Sequence, residues 1–137
     1  MAFNLAELFS AVVAEVPERT ALVCGERRLS YAELDASANR FAHHLIAAGI
    51  GPGENVGIYA PNSVEWIEGL LGCLQARAVP VNINYRYTGV ELADLLGKAQ
   101  PVALLVDAEY VQLAAVTAAH CPQLRHVIII GDADAEL

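Results

Sequence analysis

Apolar residues along this chain recur with two different periods, and the order of those periods predicts a succession of helices and strands. At the start, apolar residues fall at helical spacing through "LAELFSAVVAEV", with Asn4 placed to cap this helix and Pro17 to end it. The next stretch, "TALVCGERRLSY", is typical of a short hairpin that turns at Gly25 and Glu26.

A second, longer helix is predicted to follow the hairpin directly. Ser30 and Glu33 have the S-x-x-E spacing of a capping box, and Gly49 supplies the left-handed residue that commonly ends a helix. One face of this helix is apolar and is expected to pack on a core. The residues of that face are Tyr31, Leu34, Ala38, Phe41, Leu45 and Ala48.

From Asn55 onward the pattern alternates between strand and helix. Strands are predicted in "NVGIYA", "AVPVNIN", "VALLV" and "HVIII". The helices between them begin at Ser63, at a second capping box formed by Thr88 and Glu91, and in "AEYVQLAAVTAAH". Such alternation is typical of right-handed crossovers on a mostly parallel sheet. The predicted fold class is therefore α/β, with a Rossmann-like, mostly parallel sheet, flanking helices, and an N-terminal helix and hairpin.

The composition fits a buried parallel sheet. Of the 137 residues, 55% are hydrophobic, and the mean hydropathy is +0.40. Either both faces of the sheet are covered within the chain, or a larger protein covers the excess apolar surface. No apolar run reaches the roughly 18 residues of a membrane span. The N-terminus also lacks the basic segment of a secretory signal. We therefore expect neither a transmembrane segment nor a leader.

The charge balance argues against a nucleic-acid-binding protein, and the cysteine usage argues against a disulfide-stabilised one. With 16 acidic against 8 basic residues the net charge is −8, and the basic residues form no cluster that would neutralise nucleic-acid phosphates. The three cysteines, Cys24, Cys73 and Cys121, are scattered and odd in number, which indicates reduced thiols rather than a disulfide framework. We expect a cytoplasmic protein that does not bind nucleic acid.

The residues taken alone do not predict a catalytic or metal site. "GIGPGENVG" ends a helix and leads into a strand, which is the reverse of a phosphate-binding loop. His120, Cys121 and His126 are ligand types that zinc accepts, but a fourth ligand at a suitable spacing is missing, so no metal site is predicted. Ser30 and Ser63 are better explained as helix caps than as nucleophiles.

Two stretches resemble the N-terminal part of the adenylate-forming superfamily, which contains acyl- and aryl-CoA synthetases, adenylation domains of peptide synthetases, and luciferases. "LSYAELDASANRFAHHLIAAGIGPGENVGIYAPNSVEW" resembles that family's opening block, in which L-S/T-Y-x-E-L precedes a long helix and a G-V-x-x-G-D-x-V turn. "LQARAVPVNINYRYTGVEL" resembles its next block, in which a helix end L-K-A-G-A precedes V-P-L/I/V-N. The resemblance covers about residues 5–130, and "NINYRYT" and "YAPN" look closer to fatty-acid-type CoA ligases than to peptide-synthetase adenylation domains.

The resemblance implies a two-step reaction that uses ATP, Mg²⁺ and CoA in the full-length enzyme. A hydrophobic carboxylic acid attacks the α-phosphate of ATP to give acyl-AMP, and the CoA thiol then displaces AMP. The family's catalytic segments, among them a Ser/Thr/Gly-rich loop ending in Lys, lie beyond Leu137. Residues 1–137 are therefore expected to be the N-terminal subdomain of a longer acid-thiol ligase. Alone, this fragment is expected to be inactive, to bind no cofactor, and to expose apolar surface that favours self-association.

Two alternative functions stay open at this point. The first is an adenylating enzyme without CoA transfer, such as an acyl-AMP ligase or a peptide-synthetase adenylation domain. The second is a non-catalytic binding module that uses a Rossmann-like sheet, because a fold alone does not establish a function. The identity of the acid does not follow from these residues.

Two arginines in the second block carry specific predictions. Arg77 stands where the family usually has glycine, and a left-handed conformation costs a residue with a Cβ about 1 kcal/mol, so we predict a right-handed φ there. Arg86 follows a predicted strand, where α/β sheets place ligands. In some CoA ligases of the family that this chain resembles, a basic residue at the matching position lies at the CoA entrance, and a forked guanidinium there suits the nucleotide phosphates. The alternative is a surface ion pair with Glu91 or Asp94.

Overall fold

The chain forms two compact units in the computed structural model, which describes residues 4–131. The first unit consists of Met1–Pro52 and Asn62–Ala78, and the second of Gly53–Pro61 and Val79–Leu137. Within the described part of the chain, no helix combines the length and the apolar character needed to cross a membrane. The prediction that the whole chain is one subdomain of a longer enzyme stays a prediction.

The first unit contains helices and an antiparallel hairpin in the order predicted from the sequence. They are α1 (Leu5–Glu15), β1 (Thr20–Cys24), β2 (Arg27–Ser30), α2 (Tyr31–Ala47) and α3 (Val64–Gln75). The predicted N-caps are confirmed, since the side chains of Asn4, Ser30 and Ser63 each accept a hydrogen bond from a backbone N–H in the first turn of the helix that follows.

Helix α1 presents apolar side chains both to its unit and to solvent. Ala6 is buried, and the Phe9 ring lies 6.1 Å from the ring of Tyr31 at the start of α2. At the edge of this face, Leu5 and Leu8 are 60% and 49% exposed. The helical spacing in the sequence therefore located the helix correctly, but part of its apolar stripe remains uncovered.

Helices α2 and α3 approach each other closely at Gly72. A Cβ atom added there would lie 2.6 Å from Cδ1 of Phe41 and 3.0 Å from the carbonyl oxygen of Ala38. Such distances leave room for a hydrogen atom but not for a methyl group.

Leu34, Ala38 and Leu45 on the predicted apolar face of α2 are buried, so this helix packs as the sequence predicts.

The end of α3 contradicts the prediction for Arg77, whose φ is +64°. The N–H groups of Arg77 and Ala78 donate to the carbonyls of Leu74 and Cys73 at 3.1 and 2.9 Å, which is the Schellman pattern of a helix end. The Arg77 guanidinium also lies 3.0 Å from Glu7 Oε1. These hydrogen bonds and the ion pair offset the roughly 1 kcal/mol that a left-handed conformation costs a residue with a Cβ.

The second unit is built on a four-stranded parallel sheet, which confirms the predicted α/β class. Its elements are β3 (Asn55–Tyr59), β4 (Val79–Ile83), α4 (Gly89–Ala99), β5 (Ala103–Asp107), a 3-10 turn (Ala108–Tyr110), α5 (Val111–Ala118) and β6 (His126–Ile130). The strand order is β4-β3-β5-β6, and every neighbouring pair is parallel. The chain order reverses between β3 and β5, which is the kind of place where α/β sheets bind ligands.

The core of the second unit joins the sheet to α4 and α5. In β3, a Cβ atom at Gly57 would lie 2.6 Å from Leu104 Cδ2 and 2.7 Å from Ile83 Cδ1, so the neighbouring strands fill the space above this glycine. The buried core residues are Tyr59, Ile83, Leu92, Leu96, Leu104, Val106, Val111, Ala114 and Cys121.

Candidate functional site

The carboxyl ends of β3, β4 and β5 form the candidate site. β3 ends at Tyr59, β4 is followed by the turn 84–88, and β5 is followed by the turn Ala108–Tyr110. Because these strands are parallel neighbours, the three segments lie at one edge of the sheet, here called the carboxyl edge. Arg86 lies on this edge, where the sequence predicted it.

The turn that carries Arg86 is held by its own hydrogen bonds. Asn84 Oδ1 accepts from the Arg86 N–H at 3.0 Å, and the Asn84 carbonyl accepts from the Tyr87 N–H at 2.9 Å. The first bond is an Asx turn and the second closes a β-turn. The Thr88 N–H donates to Glu91 Oε2 at 3.2 Å, as a capping box at the start of α4 requires. The backbone is thus fixed on both sides of Arg86.

The Arg86 side chain is exposed, and its guanidinium carbon lies 5.7 Å from the centroid of the Tyr85 ring, within cation–π range. The alternative ion pair of Arg86 with Glu91 or Asp94 is not present among the residues that the structure describes. Glu91 is engaged at the start of α4, and Asp94 Oδ2 lies 2.7 Å from Lys98 Nζ.

Arg86 differs from the other basic side chains of the second unit. Lys98 pairs with Asp94, and Arg125 Nη2 lies 3.1 Å from Glu54 Oε2. Within the described portion of this unit, Arg86 is the one lysine or arginine without a carboxylate partner. An exposed guanidinium with unused donors is chemically suited to bind an anion such as a phosphate.

A cluster of tyrosines next to Arg86 was missed by the sequence analysis. The buried Tyr59 ring lies 5.2 Å from that of Tyr110, which lies 6.2 Å from that of Tyr85. The Tyr59 hydroxyl donates to the Tyr87 carbonyl at 2.8 Å. Burial raises the pKa of Tyr59, so the hydroxyl keeps its proton at neutral pH. The sequence did carry a signal for this cluster, because a tyrosine stands at, or shortly after, the end of each of three successive strands.

A separate apolar cleft of about 310 Å³ lies within the first unit, between β1 and the start of α3. The Ser63 hydroxyl at its rim already accepts from the Trp66 N–H at 3.1 Å, as a helix cap does. The lining carries no charged side chain, and its one titratable group is the thiol of Cys24. Its lining residues are Leu22, Val23, Cys24, Asn62, Ser63, Trp66 and Ile67.

The cysteines are free thiols in different surroundings. Cys24 is exposed, whereas Cys73 and Cys121 are buried. Burial raises the pKa of the Cys73 thiol to about 12, which makes it unreactive as a nucleophile at neutral pH. Among the described residues, no group of three His, Cys, Asp or Glu side chains is arranged to hold a metal ion.

Comparison with known proteins relates the chain to one group of enzymes. Residues 9–137 match the family described as AMP-binding enzyme. Over 132 residues the chain is 37% identical to a medium/long-chain-fatty-acid–CoA/3-oxocholest-4-en-26-oate–CoA ligase of Mycobacterium marinum, covering 96% of the chain and 24% of that ligase. Over 101 residues it is 38% identical to a linear gramicidin synthase of Brevibacillus parabrevis, covering 74% of the chain and 2% of that protein.

The fold is also similar to solved structures of the same group. The anthranilate CoA ligase AuaEII, in complex with anthranoyl-AMP, superposes with a TM-score of 0.89 at 25% identity, covering 94% of this chain and 25% of that one. This similarity agrees with the α/β fold predicted from the sequence. The chain spans about a quarter of the length of the curated ligases it matches.

Proposed function

Because the chain belongs to the AMP-binding enzyme family, we propose that it forms the N-terminal subdomain of an ATP-dependent acyl-CoA synthetase. In the proposed reaction, the carboxylate of a hydrophobic acid attacks the α-phosphate of ATP, giving acyl-AMP and pyrophosphate. The thiol of CoA then attacks the acyl carbon and releases AMP. The observation that carries this proposal is the similarity of nearly the whole chain to a fatty-acid and sterol-acid CoA ligase.

The described residues fit CoA better than they fit ATP or Mg²⁺. Within residues 4–131 no carboxylate cluster is arranged for a metal ion, and "GIGPGENVG" leads into β3 instead of opening a helix. ATP and Mg²⁺ are therefore assigned to other segments of the proposed enzyme. When bound, ATP supplies the activated phosphate and CoA the acceptor thiol.

Arg86 is the residue of this chain that we assign to CoA, as a ligand of its nucleotide phosphates. Three features support the assignment: the guanidinium is exposed, it has no carboxylate partner among the described residues, and it lies at the carboxyl edge of the sheet. The turn 84–88 holds the backbone of Arg86 in place, which limits the entropy lost on binding.

The test of the proposed reaction uses the natural protein that contains this chain. ATP–pyrophosphate exchange that depends on a hydrophobic acid measures the first step, and mass spectrometry of acyl-CoA measures the second. We expect exchange with hydrophobic acids and thioester formation when CoA is added. Absence of exchange with every hydrophobic acid tested would overturn the proposal.

A second candidate is an adenylating enzyme that does not use CoA, which the similarity to the linear gramicidin synthase favours. This candidate predicts acid-dependent pyrophosphate exchange without any acyl-CoA product. The same two assays therefore separate it from the synthetase. They also separate both enzymes from a non-catalytic module, which would show neither activity.

The Arg86 assignment has its own test in the same protein. The Arg86→Ala variant is expected to raise the apparent KM for CoA about tenfold, because a charge-assisted contact is lost. Pyrophosphate exchange, which needs no CoA, reports whether the variant is correctly folded. Arg28→Ala is the matched control, because Arg28 is an exposed arginine of the hairpin strand β2. An unchanged KM in Arg86→Ala would refute the assignment.

We also propose that the 137-residue chain self-associates through α1 and that the enzyme is cytoplasmic. Leu5, Leu8 and Val12 are 60%, 49% and 42% exposed and lie on neighbouring turns of α1. Sedimentation velocity should show a concentration-dependent species that Leu8→Glu weakens, and concentration-independent sedimentation would contradict this.

The cytoplasmic location is supported by the free cysteines and is testable by cell fractionation.

A further inference from the structure

We propose that Tyr59 is a positioning residue that holds Arg86 in the orientation needed to meet the nucleotide end of CoA. This inference rests on the proposed CoA role of Arg86. Tyr59 is the last residue of β3, a central strand, and its side chain is fully buried. It acts on Arg86 through the residues on either side of it.

The first connection is a hydrogen bond to the residue after Arg86. The Tyr59 hydroxyl donates to the Tyr87 carbonyl at 2.8 Å. The Tyr87 N–H is already used within the turn, at 2.9 Å from the Asn84 carbonyl. Both backbone polar groups of Tyr87 are therefore engaged, one within the turn and one to the sheet.

The second connection is a row of aromatic rings to the residue before Arg86. The Tyr59 and Tyr110 rings lie 5.2 Å apart and the Tyr110 and Tyr85 rings 6.2 Å apart, both within the usual range for aromatic pairs. The Arg86 guanidinium carbon lies 5.7 Å from the Tyr85 ring. The Tyr85 ring beneath the charged group is thus linked to Tyr59 through Tyr110.

Tyr59 is suited to this task because it does not move with the turn. Its backbone is paired with Ile83 of β4 on one side and with Val106 of β5 on the other. Residues 86–88 of the turn, by contrast, are exposed. A rigid scaffold that supports a ligand-binding side chain through a neighbouring contact is a common means of preorganisation.

Loss of the Tyr59 hydroxyl is expected to loosen the turn without unfolding the protein. Tyr87 is a 37% exposed turn residue and phenylalanine keeps the Tyr59 ring, so the substitution removes one hydrogen bond without opening a cavity. A neutral hydrogen bond of this kind corresponds to a factor of about 2 to 10 in an equilibrium constant. The Tyr59 hydroxyl is buried and already donates to the Tyr87 carbonyl, so it is not available to contact CoA itself. Its effect on CoA binding is therefore exerted through Arg86.

The test is the Tyr59→Phe variant of the natural protein, assayed with CoA and with pantetheine, which carries the thiol but lacks the nucleotide. We expect the apparent KM for CoA to rise about twofold to tenfold, with kcat nearly unchanged. The apparent KM for pantetheine should stay the same. In the double variant Tyr59→Phe/Arg86→Ala, the KM for CoA should equal that of Arg86→Ala alone, because the two residues act on one contact.

Two further variants keep the test interpretable. Tyr31→Phe is the matched control, since the Tyr31 hydroxyl forms no hydrogen bond within the described part of the chain and its ring contact with Phe9 is retained. If Tyr59→Phe fails to fold, Tyr110→Leu removes the ring between Tyr59 and Tyr85 and should give the same selective rise in the KM for CoA.

The outcomes separate this inference from the proposed function. A wild-type enzyme that forms acyl-CoA, together with an unchanged KM for CoA in Tyr59→Phe, would overturn the inference and leave the function standing. An equal rise in the KM values for CoA and pantetheine would also overturn it, because the effect would not depend on the nucleotide. If the wild-type protein shows no pyrophosphate exchange, the proposed function fails and the inference fails with it.

Discussion

Substitution of alanine for glycine is expected to change stability in opposite directions at two helical positions of this chain. Gly72 lies in α3 against α2, and Gly97 lies in α4 with no atom within 4 Å of an added Cβ. Alanine in a helix interior is favoured over glycine by roughly 0.5–1 kcal/mol, because glycine loses more backbone entropy on folding. Gly97→Ala should therefore raise the free energy of unfolding by about 0.5 kcal/mol.

At Gly72 the same gain is outweighed by a steric clash. The new methyl group would lie 2.6 Å from Cδ1 of Phe41, which can turn away, and 3.0 Å from the Ala38 carbonyl, which is part of a helix backbone. Overpacking of this kind typically costs about 1–3 kcal/mol. After subtraction of the helix gain, about 0–2.5 kcal/mol of this cost remains, and we expect Gly72→Ala to lower the free energy of unfolding by about 1 kcal/mol.

Urea denaturation of the 137-residue chain measures both effects. Far-UV circular dichroism follows all helices, and fluorescence follows Trp66, the single tryptophan, which lies in the first unit. The two probes must give the same midpoint before one free energy is assigned, because the chain contains two compact units. A stabilising Gly72→Ala would refute the close approach of α2 and α3. A destabilising Gly97→Ala would refute the helix-propensity reasoning.

Three further results are expected. In a Glu7→Gln background, which removes the ion pair, Arg77→Gly should raise the free energy of unfolding by about 1 kcal/mol, because glycine adopts a φ of +64° freely; lower stability in urea would contradict this. In the folded chain, a thiol reagent should modify the exposed Cys24 before the buried Cys73; equal rates would disprove the burial. Burial raises the pKa of the Cys73 thiol from 9.0 to about 12 in the folded chain. Between these pH values the unfolded chain binds fewer protons at this thiol than the folded chain, so the free energy of unfolding falls as pH rises. A Cys73→Ala variant whose stability has the same pH dependence would refute this.

The helices and strands were accessible to sequence reasoning because their signals are local. The caps at Asn4, Ser30 and Ser63 each act within one helical turn, and each parallel strand is a short, largely apolar run. Arg86 could likewise be placed after a strand, although its freedom from an ion pair could not be predicted. That freedom depends on Asp94 pairing with Lys98.

Arg77 and Tyr59 show where local patterns were not sufficient. Arg77 adopts a left-handed conformation that its residue type disfavours, and its ion pair joins it to Glu7, 70 positions away in the chain. The Tyr59 hydroxyl reaches the Tyr87 carbonyl across 28 positions, and this contact exists because β3 and β4 are parallel neighbours. Periodicity and capping extend over only a few residues, so they specify elements and their ends. The contacts that support Arg86 follow from strand order and packing, which arise only when those elements assemble.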